Sequence, residues 1–156
     1  MRSMKFSRFI LSLAATALLS GCFIIPFVQA FKETGATEGD RMALLEPEAR
    51  KFADAMVLGN KKLAMTVVMP ESRSSISKLI RDRNEEERVV ESKLDDVQYS
   101  EAARKATVTL KVRYYKVPFY VVKMRIEEQH WEFTMSDGWK LRDMAELDEE
   151  EGSDVG

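Results

Sequence analysis

An α+β fold, with N-terminal helices packed on one face of a curved, four-stranded antiparallel sheet, is predicted by two observations. Apolar residues recur at helical spacing between residues 45 and 80, and at a period close to two from residue 88 onward. Helices first, then strands joined by turn-forming residues, argue for an antiparallel meander under a helical layer.

The first helix is expected to start near Pro47, whose fixed φ suits a first helical position. Ala49, Phe52, Ala53, Met56 and Val57 form its inward stripe. Gly59 can end it, and Asn60 can cap a second, short helix carrying Leu63, Ala64, Val67 and Val68. Pro70 closes that one, and Ser72 stands where it could cap a third helix facing inward with Ile76, Leu79 and Ile80. No single stripe buries enough to be stable alone, so all three need a partner surface.

Residues 88–99 form a first strand of irregular phase. Ala106, Val108, Leu110, Val112 and Tyr114 then alternate with Thr107, Thr109, Lys111, Arg113 and Tyr115, the clearest strand in the chain, and residues 100–105 make the hairpin loop before it. Pro118 separates a third strand over residues 120–135. It begins with Val122, Met124 and Ile126 on one face and ends with Trp131, Phe133 and Met135 on the odd positions. That change of phase predicts a β-bulge within residues 127–130. Asp137-Gly138 supplies a turn, and Trp139 and Leu141 carry the last strand to about Met144.

The proline-led helix, the Gly59-Asn60 break, the bulged third strand and the closing Asp137-Gly138-Trp139-Lys140-Leu141 hairpin resemble the cystatin-like, nuclear-transport-factor-like superfamily, which includes the SnoaL-type cyclases. The resemblance covers residues 45–144 and implies a helical group lying across a strongly curved sheet. No catalytic signature accompanies it, so no family active-site residue carries over.

Ahead of this domain, Arg2, Lys5 and Arg8 precede an uncharged, mostly apolar run, and Leu19-Ser20-Gly21-Cys22 closes it. A basic start, an apolar stretch and small residues at a cleavage point are the parts of a secretory signal. The closing tetrapeptide resembles the lipobox of bacterial lipoproteins, which implies diacylglycerol on the Cys22 thiol and a cell-envelope location facing the periplasm. Two or more acyl chains, at roughly 0.8 kcal/mol per buried methylene, give a lasting anchor where one does not. Cys22 is the only cysteine, so an intrachain disulfide is excluded. A second reading stays open: residues 9–31 carry no charge and are long enough to span a bilayer as an uncleaved helix, although Gly21 and Pro26 interrupt it. Phe23, where an aspartate would favour inner-membrane retention, points to the outer membrane.

The chain thus divides into a signal peptide (residues 1–21), a lipid-anchored tether (22–44), the α+β domain (45–144) and an acidic tail (145–156) expected to be disordered. All three leader charges are basic, and the tail holds six acids and no base. The remaining 21 basic and 20 acidic side chains nearly balance, leaving no basic excess to hold a phosphate backbone, so nucleic acid is not an expected partner.

Little in the domain carries chemistry. His130 is the only histidine, which excludes multi-histidine metal sites, and no metal or cofactor is expected. A carboxylate from Glu127, Glu128, Glu132 or Asp137 beside His130 could form an acid–base pair. If the third strand slips before His130, that residue joins Glu128 and Glu132 on a solvated face. Without the slip it continues the Val122, Met124, Ile126 face and could line a cavity beneath the helices. The solvated reading is favoured, because the polar stretch of a strand is usually its wet side. Aromatics are favoured in strands for packing. The alternative is a binder of a small apolar ligand or a SnoaL-like enzyme, using a sheet–helix pocket of several hundred Å³ that draws on Tyr114, Tyr120, His130 and Trp131. The leading expectation is a non-catalytic module that binds another envelope protein.

Overall fold

Thr37 and Asp40 start the first helix. Thr37 Oγ1 accepts from the Asp40 N–H at 3.2 Å, and the Asp40 carboxylate accepts from the Thr37 N–H at 3.3 Å, a reciprocal capping box. In the computed structural model, which describes residues 32–147, the resulting helix α1 spans Glu38–Val57. It therefore begins well before Pro47, which lies inside it, and takes in residues 38–44 of the expected tether. An interior proline costs a helix about 3 kcal/mol. The capping box and the burial of Arg41 and Leu45 in the first turns offset that cost.

Helix α2 (Lys61–Ala64) follows, with Asn60 Oδ1 accepting from the Leu63 N–H at 3.1 Å as expected. Two 3₁₀ turns, Met65–Val67 and Pro70–Ser72, lead to helix α3 (Arg73–Glu86). Ser72 makes no side-chain cap, because the preceding turn already gives it helical backbone angles. Ile76 and Ile80 of α3 are buried, as the stripe predicts.

Four strands follow: β1 (Glu87–Ser100), β2 (Lys105–Lys116), β3 (Val122–Thr134) and β4 (Gly138–Leu147). They form one antiparallel meander in the order β1-β2-β3-β4. Two register shifts leave Val90 and Asp95 as extra residues in β1, which explains its irregular phase. The bulge expected in β3 lies in β4 instead. His130 pairs with Asp143 and Trp131 with Leu141, so Arg142 is the extra residue. Strand β3 keeps one phase throughout, with Arg125, Glu127, Gln129, Trp131 and Phe133 all facing the helices. Val122, Met124 and Ile126 lie on the outer face. Strand β4 also runs past Met144 to Leu147, so residues 145–147 of the expected tail belong to the sheet; residues 148–156 lie outside the described part.

The core sits between the helices and the inner face of the sheet, built from Leu45, Phe52, Ile80, Val108, Leu110, Trp131 and Leu141. Met69 N–H donates to the Leu141 carbonyl at 2.9 Å, attaching the segment between α2 and α3 to the edge of β4.

The two ends of the sheet differ. At one end, the start of α1 meets the β1–β2 and β3–β4 turns. Arg41 there donates to the carbonyls of Ala102 (2.7 Å) and Ala103 (3.2 Å), and Trp139 Nε1 donates to the Arg41 carbonyl at 2.7 Å. The β2–β3 loop lies at the other end, beside the α3–β1 junction, where Val117 N–H donates to the Glu86 carbonyl at 2.8 Å.

Candidate functional site

The inward side chains of β3 place a charged floor under the helices. Arg125, Glu127 and Gln129 are all buried there. One carboxylate oxygen of Glu127 accepts from Arg83 Nη1 of α3 and from Arg125 Nε, each at 2.7 Å. Arg125 also donates to Glu87 at the start of β1, and its guanidinium lies 4.5 Å from the ring centroid of Tyr114. Arg83 Nη2 reaches Glu146 of β4 at 3.2 Å. Burial disfavours the charged form of Arg125, but Glu127 and Glu87 outweigh it and hold the pKa above the ordinary arginine value. Two guanidinium groups and three carboxylates thus tie α3, β1, β3 and β4 into one network.

Beside this network, Gln129 Oε1 accepts from Trp131 Nε1 at 3.1 Å, while Gln129 Nε2 has no hydrogen-bond partner among the described residues. The space it faces is small. About 10 Å³ remains between Gln129, Phe52, Met56, Leu110 and Val112, against the ~300–1,000 Å³ of sites that enclose small ligands. Phe52, Trp131 and Phe133 are buried in the region where a ligand would sit, with Met56 partly buried against them. At the rim, an open groove of about 300 Å³ is bordered by Met56, Val57, Asn84, Glu87, Arg88 and Val89.

The four residues expected to share a pocket are not brought together as a set: His130 and Trp131 both border one open groove, and Tyr114 and Tyr120 do not line it. Tyr114 and Trp131 are buried on the inner face, and Tyr120 is 75% exposed in the β2–β3 loop, its ring 5.3 Å from that of Tyr115. His130 is on the outer face. It shares the face of Val122, Met124 and Ile126 because β3 does not slip, yet that face is turned away from the helices.

Around His130 the outer face forms an open groove of about 240 Å³. Nε2 lies 3.2 Å from Glu128 Oε1, and Nδ1 lies 3.4 Å from the Thr107 hydroxyl. A hydroxyl, an imidazole and a carboxylate in sequence can in principle pass a proton. Turnover also needs donors aimed at the charge that develops. Both cations lining the groove are already engaged, Arg142 by Glu132 at 2.9 Å and Lys105 by Glu101 at 2.8 Å. Among the described residues, no group of three or more His, Cys, Asp or Glu is placed to hold a metal ion.

The sequence reading did not single out Arg125 or Gln129 as buried, although a signal existed. Counting back from Phe133 and Trp131 at a period of two leads directly to Gln129, Glu127 and Arg125. Cys22 and the uncharged run over residues 9–31 lie outside the described residues. No helix among the described residues is long and apolar enough to cross a membrane.

No family model matches the chain, and no curated protein matches its sequence. Solved structures do share its architecture. A SEC-C motif containing protein from Rhodopseudomonas palustris aligns with a TM-score of 0.54 at 16% identity, over 72% of this chain and 91% of that one. The intermembrane space region of the chloroplast protein ARC6 aligns at 0.50 and 11% identity, over 67% of this chain and 95% of that one. A protein from Xanthomonas campestris pv. campestris, provisionally assigned as a polyketide cyclase, aligns at 0.48 and 9% identity, over 65% and 87%. At these identities the likeness is one of fold: helices on a four-stranded antiparallel sheet.

Proposed function

We propose that this chain is an envelope lipoprotein, tethered through lipid on Cys22, whose cystatin-like, nuclear-transport-factor-like domain binds a partner protein and catalyses no reaction. The observation that carries the non-catalytic reading is the filled interior. The cavity under Phe52 and beside Gln129 holds only about 10 Å³, and the charged groups nearest it are already paired with one another. A group fully committed to its neighbours has little capacity left for a substrate. The small-ligand alternative is less well supported, because the grooves of about 240 and 300 Å³ described above are open to solvent rather than enclosed. The anchor rests on the basic start, the apolar run and Leu19-Ser20-Gly21-Cys22. Phe23 supports the outer membrane as its site.

Two measurements test this function. Mass spectrometry of the protein from native membranes should find Cys22 as the first residue, carrying acyl chains; an intact Met1 without lipid overturns the anchor. The purified protein should show no turnover that depends on His130, so an activity abolished by His130→Ala overturns the non-catalytic reading.

A further inference from the structure

Strand β1 is an open edge of the sheet. It pairs with β2 along one side, and among the described residues no strand or main-chain hydrogen bond engages residues 87–99 on the other. The opposite edge differs, because β4 is met by Met69 at Leu141. Packing shows the same opening. Leu94 and Val97 are only partly buried, whereas Leu110 and Val108, their partners in β2, are fully buried, and Val90 is 45% exposed. An unpaired edge 14 residues long is a template for one more strand.

The charges on β1 specify which strand. Glu87 is paired with Arg125, Glu91 with both Lys93 and Arg113, and Asp95 with Lys111. Arg88 and Asp96 are the two charged residues of the strand with no ion pair among the described residues. Arg88 donates to the carbonyls of Asn84 and Glu87, and Asp96 accepts from the neutral Gln98 amide at 3.1 Å. Both lie on the outer face, opposite Tyr115 and Thr109 of β2, and each stands four positions from Ser92. One extra residue falls in each half, Val90 on one side of Ser92 and Asp95 on the other. The two halves are therefore equal in length and in bulges.

A second β1, antiparallel and related by a two-fold axis at Ser92, matches this pattern. Arg88 then faces the copy's Asp96, and Asp96 faces the copy's Arg88, so both unpaired charges gain a partner twice over. The same register sets Glu91 opposite the copy's Lys93, and the exposed Val90 opposite the copy's Leu94. A slip of two residues, the smallest that keeps each side chain on its face, is penalised in either direction. One slip sets Lys93 against its own copy, and the other sets Glu91 against its own. An unrelated extended peptide would have to supply these charges in the mirrored order; a second copy of this chain carries them already.

We propose that β1 pairs with β1 of a second copy across a two-fold axis at Ser92, joining two domains through one continuous antiparallel sheet. This pairing goes beyond the envelope-partner reading above and does not depend on it.

The test is sedimentation velocity of the full chain in density-matched detergent micelles. The parent should form a reversible dimer as its concentration rises to roughly 100 μM. Arg88→Asp turns both matched pairs into like-charged ones and should raise the dissociation constant by roughly thirtyfold. Asp96→Arg should do the same, and it carries the test if Arg88→Asp also loosens the end of α3, where Arg88 holds the Asn84 carbonyl. Combining Arg88→Asp with Asp96→Arg exchanges the charges and should restore the parent constant to within about threefold. Register is read by mild oxidation. Ser92→Cys should give a dimer whose disulfide maps to residue 92 of both chains, and Gln98→Cys should give none. A monomer at every concentration overturns the proposal. So does a dimer that ignores both single reversals, one that the combined exchange fails to restore, or a disulfide at residue 98 in place of 92.

Discussion

Glu127 is the side chain on which the buried charges depend, because a single oxygen accepts from both Arg83 and Arg125. Glu127→Gln keeps the shape but leaves the buried Arg125 guanidinium and the partly buried one of Arg83 short of a counter-charge. Breaking one partner of a buried ion cluster costs about 3–5 kcal/mol, so urea denaturation should show a loss of that order; a change below ~1 kcal/mol would mean that Glu87 and Glu146 suffice. Tyr99 is a second residue with a measurable signature. Its hydroxyl donates to the Met42 carbonyl at 3.1 Å, and burial, reinforced by the charge of Glu46, raises its pKa. The folded protein therefore keeps the phenol proton to a higher pH than the unfolded chain does. That contribution is complete below the unfolded value of about 10 and is lost as pH rises through the folded value. Stability curves between about pH 9 and 11 should fall less steeply for Tyr99→Phe than for the parent; parallel curves would remove Tyr99 from the account.

Between elements, the β1–β2 turn shows how one side chain sets a backbone. Glu101, Ala102 and Ala103 have φ of 51°, 53° and 53°, the left-handed region that costs a non-glycine residue roughly 1–2 kcal/mol. Arg41 compensates by donating to Ala102 and Ala103 on one side and to Gly35 and Ala36 on the other. Lysine has neither the planar fork nor enough donors to reach both strands of chain. Arg41→Lys should therefore cost about 2–4 kcal/mol, since hydrogen bonds to a charged donor contribute about 1.5–3 kcal/mol each. It should also speed hydrogen exchange at the Arg104 amide, which closes this turn onto Ser100 and Glu101. Unchanged exchange there would assign the turn's conformation to another cause. The same end of the molecule shows a signal that was present and outweighed. Thr37-x-x-Asp40 is a capping-box pattern, but Pro47 reads more strongly as a helix start when tertiary contacts are unknown.

For the molecule as a whole, the described residues 32–147 contain a helix-on-sheet core, and Cys22 lies outside the described residues. Anchoring and stability should then separate. Cys22→Ser should move the protein out of the acylated membrane fraction while leaving its urea midpoint within about 0.5 kcal/mol of the parent, as for a substitution remote from packing. A large drop in stability would place residues before 32 in the core.

What the sequence determined by itself was local in origin: helical spacing, period-two alternation, Asn60 as a cap, the Asp137-Gly138 turn and the lipobox-like tetrapeptide can each be read within a dozen residues. Together they specify helices on a four-stranded antiparallel sheet. Which face of β3 lies inside was decided only by the tertiary structure. A short window shows Arg125, Glu127 and Gln129 as polar and so as solvated, because a buried charge is costly unless it is paired. The groups that pair them come from α3, β1 and β4, up to 44 residues away for Arg83 and Glu127. The bulge followed the same logic. Strand β3 could keep its phase and bury its charges because β4 took up the extra residue at Arg142, a choice made by two strands in register.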